Sequence, residues 1–338
     1  MFFPSALLAA KHRKPVLVSL ALVGITAGLF ILARTTNPGE DEISCTILEG
    51  FGKPINALAF SPDGKTLATG DGWVDRTGEV KLWDVDAGTE PALIGEYPNA
   101  ILSLAFSPDG RILAIGCYDG TVRLRDLLLG QDRLVFRNSE ACQYKVAFSL
   151  DGRILATWGA KNCLHLRDMS TGDEQSIEGV MGPVAFCPDD HPLGIARFHN
   201  TTICDPLKGQ KLLTLGAATH ALWTVVFSPD GRTVAAAAHD GTVTVWDANS
   251  GEVRMTLPGH QHQVNALVFS GDGKMLASGS FDGTVELWAV GTGEELGCFH
   301  GHTRAVSALA FAPDGQKVAS GSHDQTVRVW HLGQRRKN

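Results

Sequence analysis

One short turn recurs seven times along this chain, and no other feature restricts its fold as much. It begins at Phe60 (FSPDG), Phe106 (FSPDG), Phe148 (FSLDG), Phe186 (FCPDD), Phe227 (FSPDG), Phe269 (FSGDG) and Phe311 (FAPDG). The intervals are 46, 42, 38, 41, 42 and 42 residues. A second marker follows each Phe by 18 to 23 residues: Trp83, Arg125, Arg167, Cys204, Trp246, Trp288 and Trp330. A period near forty marks supersecondary units that bury their apolar faces only by stacking on one another. The seven copies fill residues 51–331 and leave no room for a second domain.

Each copy reads as four short strands. In the sixth these are VNALVF (264–269), KMLASGS (274–280), TVELWAV (284–290) and EELGCFH (294–300). Ser-Pro-Asp-Gly puts Pro where a fixed φ helps a turn and Gly at its fourth position. Asp-Gly after the second strand suits a tight hairpin. The inner strands are apolar or small almost throughout, as expected when neighbouring sheets cover both faces.

The chain has 338 residues, 44% of them hydrophobic and 19% charged, which is a globular balance. A net charge of −7 lacks the basic excess that neutralises phosphates, which argues against a nucleic-acid partner. Cysteines at 45, 117, 142, 163, 187, 204 and 298 form no C-x-x-C pair and read as small buried hydrophobes, so they do not reveal the redox compartment.

Residues 15–33, PVLVSLALVGITAGLFILA, carry no charge over 19 positions. As a helix they would cover about 28 Å, close to the hydrocarbon core of a bilayer. A transmembrane helix is expected there, with a cleaved signal peptide as the rival, although no A-x-A pattern follows. Lys11, Arg13 and Lys14 precede the stretch, whereas Arg34 alone follows closely, trailed by Glu40, Asp41 and Glu42. The positive-inside rule then keeps residues 1–14 cytoplasmic and sends the repeats across. The linker, 34–42, reaches about 30 Å at most, which holds the repeats near the membrane.

The spacing, the Gly-His pairs at 259–260 and 301–302, and Trp-Asp at 83–84 and 246–247 resemble the WD-repeat family, in its membrane-anchored, bacterial-type form. The resemblance implies an all-β fold, a seven-bladed β-propeller of four-stranded blades over residues 43–332, ahead of a basic tail, 333–338. The last copy stops at its third strand, TVRVWHL (326–332), so ISCTILE (43–49) is expected to close the ring and remove two open edges. The first copy gains four residues around Trp73, and the fourth, with Asp190-His191-Pro192, is the least regular.

The resemblance also implies a structural hydrogen-bond network of His, Ser, Asp and Trp. Two full sets match, His260, Ser278, Asp282 and Trp288, and His302, Ser320, Asp324 and Trp330, whereas the fifth copy has Ala218 and Ala236 instead. Partners are expected on the side bearing the blade-junction loops and second hairpin turns. Two positions per blade point there, four residues before the marker Phe and just before the hairpin Asp. They give Tyr144 and Trp223 at the first, and Tyr118, His239, Phe281 and His323 at the second.

A non-catalytic, membrane-tethered scaffold for protein or peptide partners is the expected function. The alternative is a propeller enzyme or small-ligand sensor using the central channel. No cofactor is expected. The H-x-H pairs at 260/262 and 300/302 could ligate a metal, but one member of each already belongs to a network and no Cys or carboxylate accompanies them in sequence. The repeated PDG aspartates read as turn residues. Gly64-Lys65-Thr66 resembles the end of a phosphate loop, but Ala59 stands where its first Gly is needed.

Overall fold

The computed structural model describes residues 17–21, 32–36, 44–87, 91–137, 144–159, 163–178, 184–186, 193–197, 200–205, 210–215 and 222–333. Six antiparallel four-stranded sheets follow one another along the chain: β4–β7 in residues 55–97, β8–β11 in 101–137, β12–β15 in 144–178, β16–β19 in 184–215, β20–β23 in 222–257 and β24–β27 in 264–299. They are called blades one to six below. The last three strands, β28 (Val306–Phe311), β29 (Lys317–Ser322) and β30 (Val327–His331), join a sheet with β1 (Leu17–Ala21), β2 (Leu32–Thr36) and β3 (Ser44–Leu48). Its order is β1-β2-β3-β30-β29-β28. The all-β propeller of four-stranded blades is therefore present, but with six such blades among the described residues instead of the seven expected, because the strands of the last repeat belong to a six-stranded sheet.

The turn chemistry is the same from blade to blade. Ser61 Oγ donates to Asp63 Oδ1 at 2.5 Å, the Lys65 amide donates to the same carboxylate, and the Thr66 amide donates to Ser61 Oγ. Ser107–Asp109, Ser149–Asp151, Ser228–Asp230 and Ser270–Asp272 repeat the first bond. These bonds hold each Asp below the usual carboxylate range, as suits a permanently ionised turn residue.

Successive blades interlock. The side chain that opens one innermost strand presses on a glycine in the second strand of the blade before it: Ile101 on Gly70, Val306 on Gly279 and Ile55 on Gly321. A larger residue at these glycines would collide with a side chain that is fully buried. The first turns also stack in order, Gly110 on Pro62, Gly152 on Pro108, Gly273 on Pro229 and Gly64 on Pro313. The last contact joins the first repeat to the seventh.

The N-terminal stretch departs from expectation. Leu17–Ala21 and Leu32–Thr36 are strands, with β1 antiparallel to β2 and β2 paired to β3 through Arg34↔Thr46 and Thr36↔Ser44. No described helix is long and apolar enough to cross a membrane. The physical reason lies at β3, whose outer edge presents unpaired backbone groups to Arg34-Thr35-Thr36, where the β-branched threonines suit a strand. The other residues of the 15–33 stretch lie outside the described residues, as do 1–14, Asp190-His191-Pro192, Ala218 and the tail beyond Gly333. In blade four the innermost strand is short, Val184–Phe186.

Candidate functional site

Strands alternate in direction, so the second hairpin turn of each blade and the loop leading to the next blade share one side of the ring. Backbone bonds tie the two together there. The Tyr118 amide donates to Ala100 O at 2.9 Å, Phe281 to Gln263 O at 2.9 Å and His323 to Ala305 O at 3.0 Å. The residue ahead of each hairpin Asp is thus held by its backbone. Phe281 and His239 are exposed, while Tyr118 and His323 are half-buried. Burial, together with the charge of Arg304, keeps His323 below the ordinary imidazole range.

The position four residues before the marker Phe has a structural basis that the sequence does not reveal. In blades one, two, five and six and in β28, the pairing slips by one residue there, leaving Asn56, Leu102, Trp223, Asn265 and Ser307 unpaired. Such a β-bulge re-aims its side chain. Asn265 Nδ2 uses this to donate to Val306 O at 3.1 Å, and Ser307 Oγ donates to Ile55 O, each crossing to the next blade. Trp223 makes no such crossing bond among the described residues and stands 55% exposed. Tyr144 opens the strand Tyr144–Phe148 without a slip and pairs with Gly159.

Sequence reasoning missed Trp73 and Val74 as members of this face. The four extra residues of the first copy lengthen its second hairpin turn, and both side chains are about half exposed. Asn56 Nδ2 donates to Gly72 O, and the Asp75 amide donates to Asn99 Oδ1, which anchors the lengthened turn to its surroundings. The insertion was visible in the sequence; the projection of its tip was not.

Behind the face lie the polar networks. Trp288 Nε1 donates to Ser278 Oγ at 3.2 Å, His260 Nε2 lies 2.8 Å from the same hydroxyl, and His260 Nδ1 lies 3.2 Å from Asp282 Oδ2. Trp can only donate, so Ser278 donates on to Nε2, and Nδ1–H faces the carboxylate. The second set repeats this: Trp330 to Ser320 at 2.9 Å, Ser320 to His302 at 2.8 Å and His302 to Asp324 at 2.9 Å. Both ring nitrogens of His260 and of His302 are occupied, which leaves neither free for a metal. Burial lowers the basicity of His260, the neighbouring carboxylates notwithstanding.

Other blades solve the same problem differently. In blade one Phe51 replaces the His, its ring 5.2 Å from that of Trp83, and Trp83 Nε1 donates to Thr69 Oγ1 at 3.0 Å. In blades two and three the Trp becomes Arg, and the outer strand supplies an acid: Arg125 to Asp132 at 3.3 Å and Arg167 to Glu174 at 2.7 Å. Blade five has Ala236 facing Trp246, whose fully buried Nε1 finds no hydrogen-bond partner among the described residues.

Two buried carboxyls are further groups the sequence did not mark. Burial raises Asp71 to about 6, against the opposing bond from the Glu79 amide and the charge of Lys53. Burial raises Glu286 to about 7, and the charges of Glu295 and Asp282 add to the rise. Its Oε2 lies 3.5 Å from His260 Nε2 and has no hydrogen-bond partner among the described residues. A carboxyl with a raised folded pKa binds its proton more tightly when folded. Its contribution is therefore complete at low pH and is lost as pH rises from about 4.5 to about 7. Unfolding curves at pH 5 and pH 7.5 should show Glu286→Gln removing part of the loss seen in the parent chain. Equal losses in both chains would contradict this role.

The WD domain, G-beta repeat family matches residues 43–84, 92–126, 209–247, 251–289 and 293–331. The unmatched interval holds most of copies three and four, whose second markers are Arg167 and Cys204. Compared with curated proteins, the chain finds no match. Repeats that satisfy the family pattern over more than half of the sequence, folded as a propeller of four-stranded blades, place this chain in the WD domain, G-beta repeat family.

Proposed function

We propose that this chain is a non-catalytic, membrane-tethered scaffold that holds protein or peptide partners on the face of the second hairpin turns. The observation that carries the reading is the exposure of Trp223 and Phe281, 55% and 54%, on neighbouring blades of that face. Large aromatics bury much area while losing little side-chain entropy, which suits interface anchors. Tyr118, His239 and His323 complete the surface, Trp73 extends it over blade one, and Tyr144 is proposed to join it from its place at the start of the strand Tyr144–Phe148. Protein–protein interaction is also the general use of WD-repeat propellers.

In this reading the ring has seven blades, the seventh formed by β28, β29, β30 and β3. The stacking of Gly64 on Pro313 and the Ser307 bond to Ile55 support that count. Capture of a partner from detergent extract by the full chain, followed by titration of that partner, tests the face. Trp223→Ala with Phe281→Ala should weaken binding by about 2 kcal/mol or more, roughly thirtyfold in Kd, with the melting curve unchanged. Unchanged affinity in the double variant would refute the assignment.

The tether rests on the 19 uncharged residues of 15–33. A helix satisfies every backbone group of that stretch within a bilayer. In the structure Leu17–Ala21 pairs with Leu32–Thr36, and the part of that strand joined to β3 is Arg34–Thr36, just beyond the stretch. The charge asymmetry places the propeller outside the cytoplasm. Alkaline carbonate should leave the chain in the membrane pellet, and protease on the outer side should digest the propeller. Release of a chain beginning near residue 34 would show a cleaved signal instead.

A further inference from the structure

The opposite side of the ring carries the first turns, such as 61–64, and the third turns, such as 126–130. Each third turn stands beside the residue that ends the first turn of its own blade. The Leu127 amide donates to Arg111 O, Met169 to Arg153 O, Val290 to Lys274 O and Leu332 to Gln316 O. These residues therefore share one face, and it is the face away from Trp223 and Phe281. Three of the most exposed large apolar side chains among the described residues lie on it: Leu128 at 84%, Leu150 at 61% and Leu129 at 58%. Leu128 and Leu129 tip the third turn of blade two, and Leu150 tips the first turn of blade three. The two blades are neighbours, joined at this level by Gly152 against Pro108.

Both termini of the ring reach the same face. Ser44, where β3 begins, pairs with His331, where β30 ends, and Leu332 follows against Gln316. The sequence before Ser44 leads within ten residues to the 15–33 stretch, and the sequence after Gly333 continues with Arg335, Arg336 and Lys337. The described chain therefore ends, at Ser44 and at Gly333, on the side that bears Leu128, Leu129 and Leu150.

We propose that this face lies flat on a lipid surface, with Leu128, Leu129 and Leu150 seated in the headgroup–acyl boundary and the basic tail on anionic headgroups. The proposal rests on the tether reading and deepens it. A single tether at the seventh repeat leaves the ring free to tilt. A second contact at blades two and three, part-way round the ring, fixes its attitude and turns the aromatic face outward to meet partners. Leucine side chains gain by entering the interface as apolar faces do elsewhere, and a short run of cations adds attraction to anionic lipid. The nearby Arg111 and Arg153 are exposed and can reach headgroups, while Asp109 and Asp151 beside them remain tied into their turns.

The test uses the full chain in vesicles of phosphatidylcholine and phosphatidylglycerol containing a lipid with a photoreactive acyl chain. Cross-linked peptides are then mapped. Adducts are expected on 127–130 and 149–152 as well as on 15–33, and none on 222–224 or 280–283. Leu128→Ser, Leu129→Ser and Leu150→Ser together should cut adducts on the two turns at least fivefold, with adducts on 15–33 and the melting curve unchanged. Adducts on 15–33 alone would overturn the face contact and leave the tether standing. Adducts on the two turns without any on 15–33, from a chain that carbonate removes, would overturn the tether and leave the face contact standing. Adducts on 280–283 would reverse the orientation and overturn the proposal.

Discussion

Removal of residues 1–50 is expected to lower the thermal midpoint by tens of degrees or to abolish cooperative melting, whereas removal of residues 1–40 should change it little. The shorter deletion takes away β1 and β2 but keeps β3. The longer one takes β3 and with it five register pairs to β30, from Ser44↔His331 to Leu48↔Val327. Cys45 and Ile47 pack in the core shared with Val285, Phe311 and Trp330, and Leu48 packs in the core shared with Ile55, Leu67 and Trp83. One strand therefore stabilises both blades that flank the seam. Ile47 and Leu48 alone contribute about 3–6 kcal/mol at roughly 1.5–3 kcal/mol each. Against a total stability of about 5–15 kcal/mol, that loss alone removes much of the margin. Matching midpoints for the two deletions would show that the ring closes without this strand.

Ser320→Ala is expected to destabilise the fold by about 2–6 kcal/mol, because it leaves two buried donors or acceptors, on Trp330 and His302, without a partner at about 1–3 kcal/mol each. Ser320 is fully buried, so water cannot replace the hydroxyl. The same reasoning runs in reverse at blade five. Ala236→Ser would offer Trp246 Nε1 the acceptor it lacks and should stabilise by about 0.5–1.5 kcal/mol where the hydroxyl fits. Urea titrations of the two variants beside the parent decide the matter. A Ser320→Ala chain as stable as the parent would mean that the network contributes nothing.

Much of the fold was legible because the repeat is dense. The seven PDG-type turns, each with a marker 18 to 23 residues on, set the blade order, and in blade six the strand boundaries agree to within one residue. The two His-Ser-Asp-Trp sets were implied by the family resemblance, and the structure joins the members of each by hydrogen bonds. What the sequence hid falls into two kinds. The first is geometry without a residue signature: the bulge holds Asn, Leu, Trp and Ser in different blades, so no composition marks the position that turns Trp223 outward. Glu286 is similar, since one carboxylate in TVELWAV does not announce burial beside His260.

The second kind is competition between environments. Residues 15–33 have the length and apolarity of a bilayer helix, yet their Val- and Leu-rich pieces also suit the open edge of a sheet. Sequence pattern weighs the segment against lipid, whereas the edge of β3 exists only through its pairing with Val327–His331 at the far end of the chain. Trp73 lies between these cases. Its insertion was countable, but its half-exposed position follows from the bonds that Asn56 and Asn99 make to the turn.

A photoreactive amino acid introduced singly at positions 281 and 93 locates the partner on the propeller. Position 281 lies on that face, whereas Leu93 lies on the exposed outer strand of blade one, away from it. Irradiation of the full chain in the cells that make it should give protein adducts from position 281 and few or none from position 93. Adducts from position 93 with none from position 281 would place the partner on the outer rim and contradict the account.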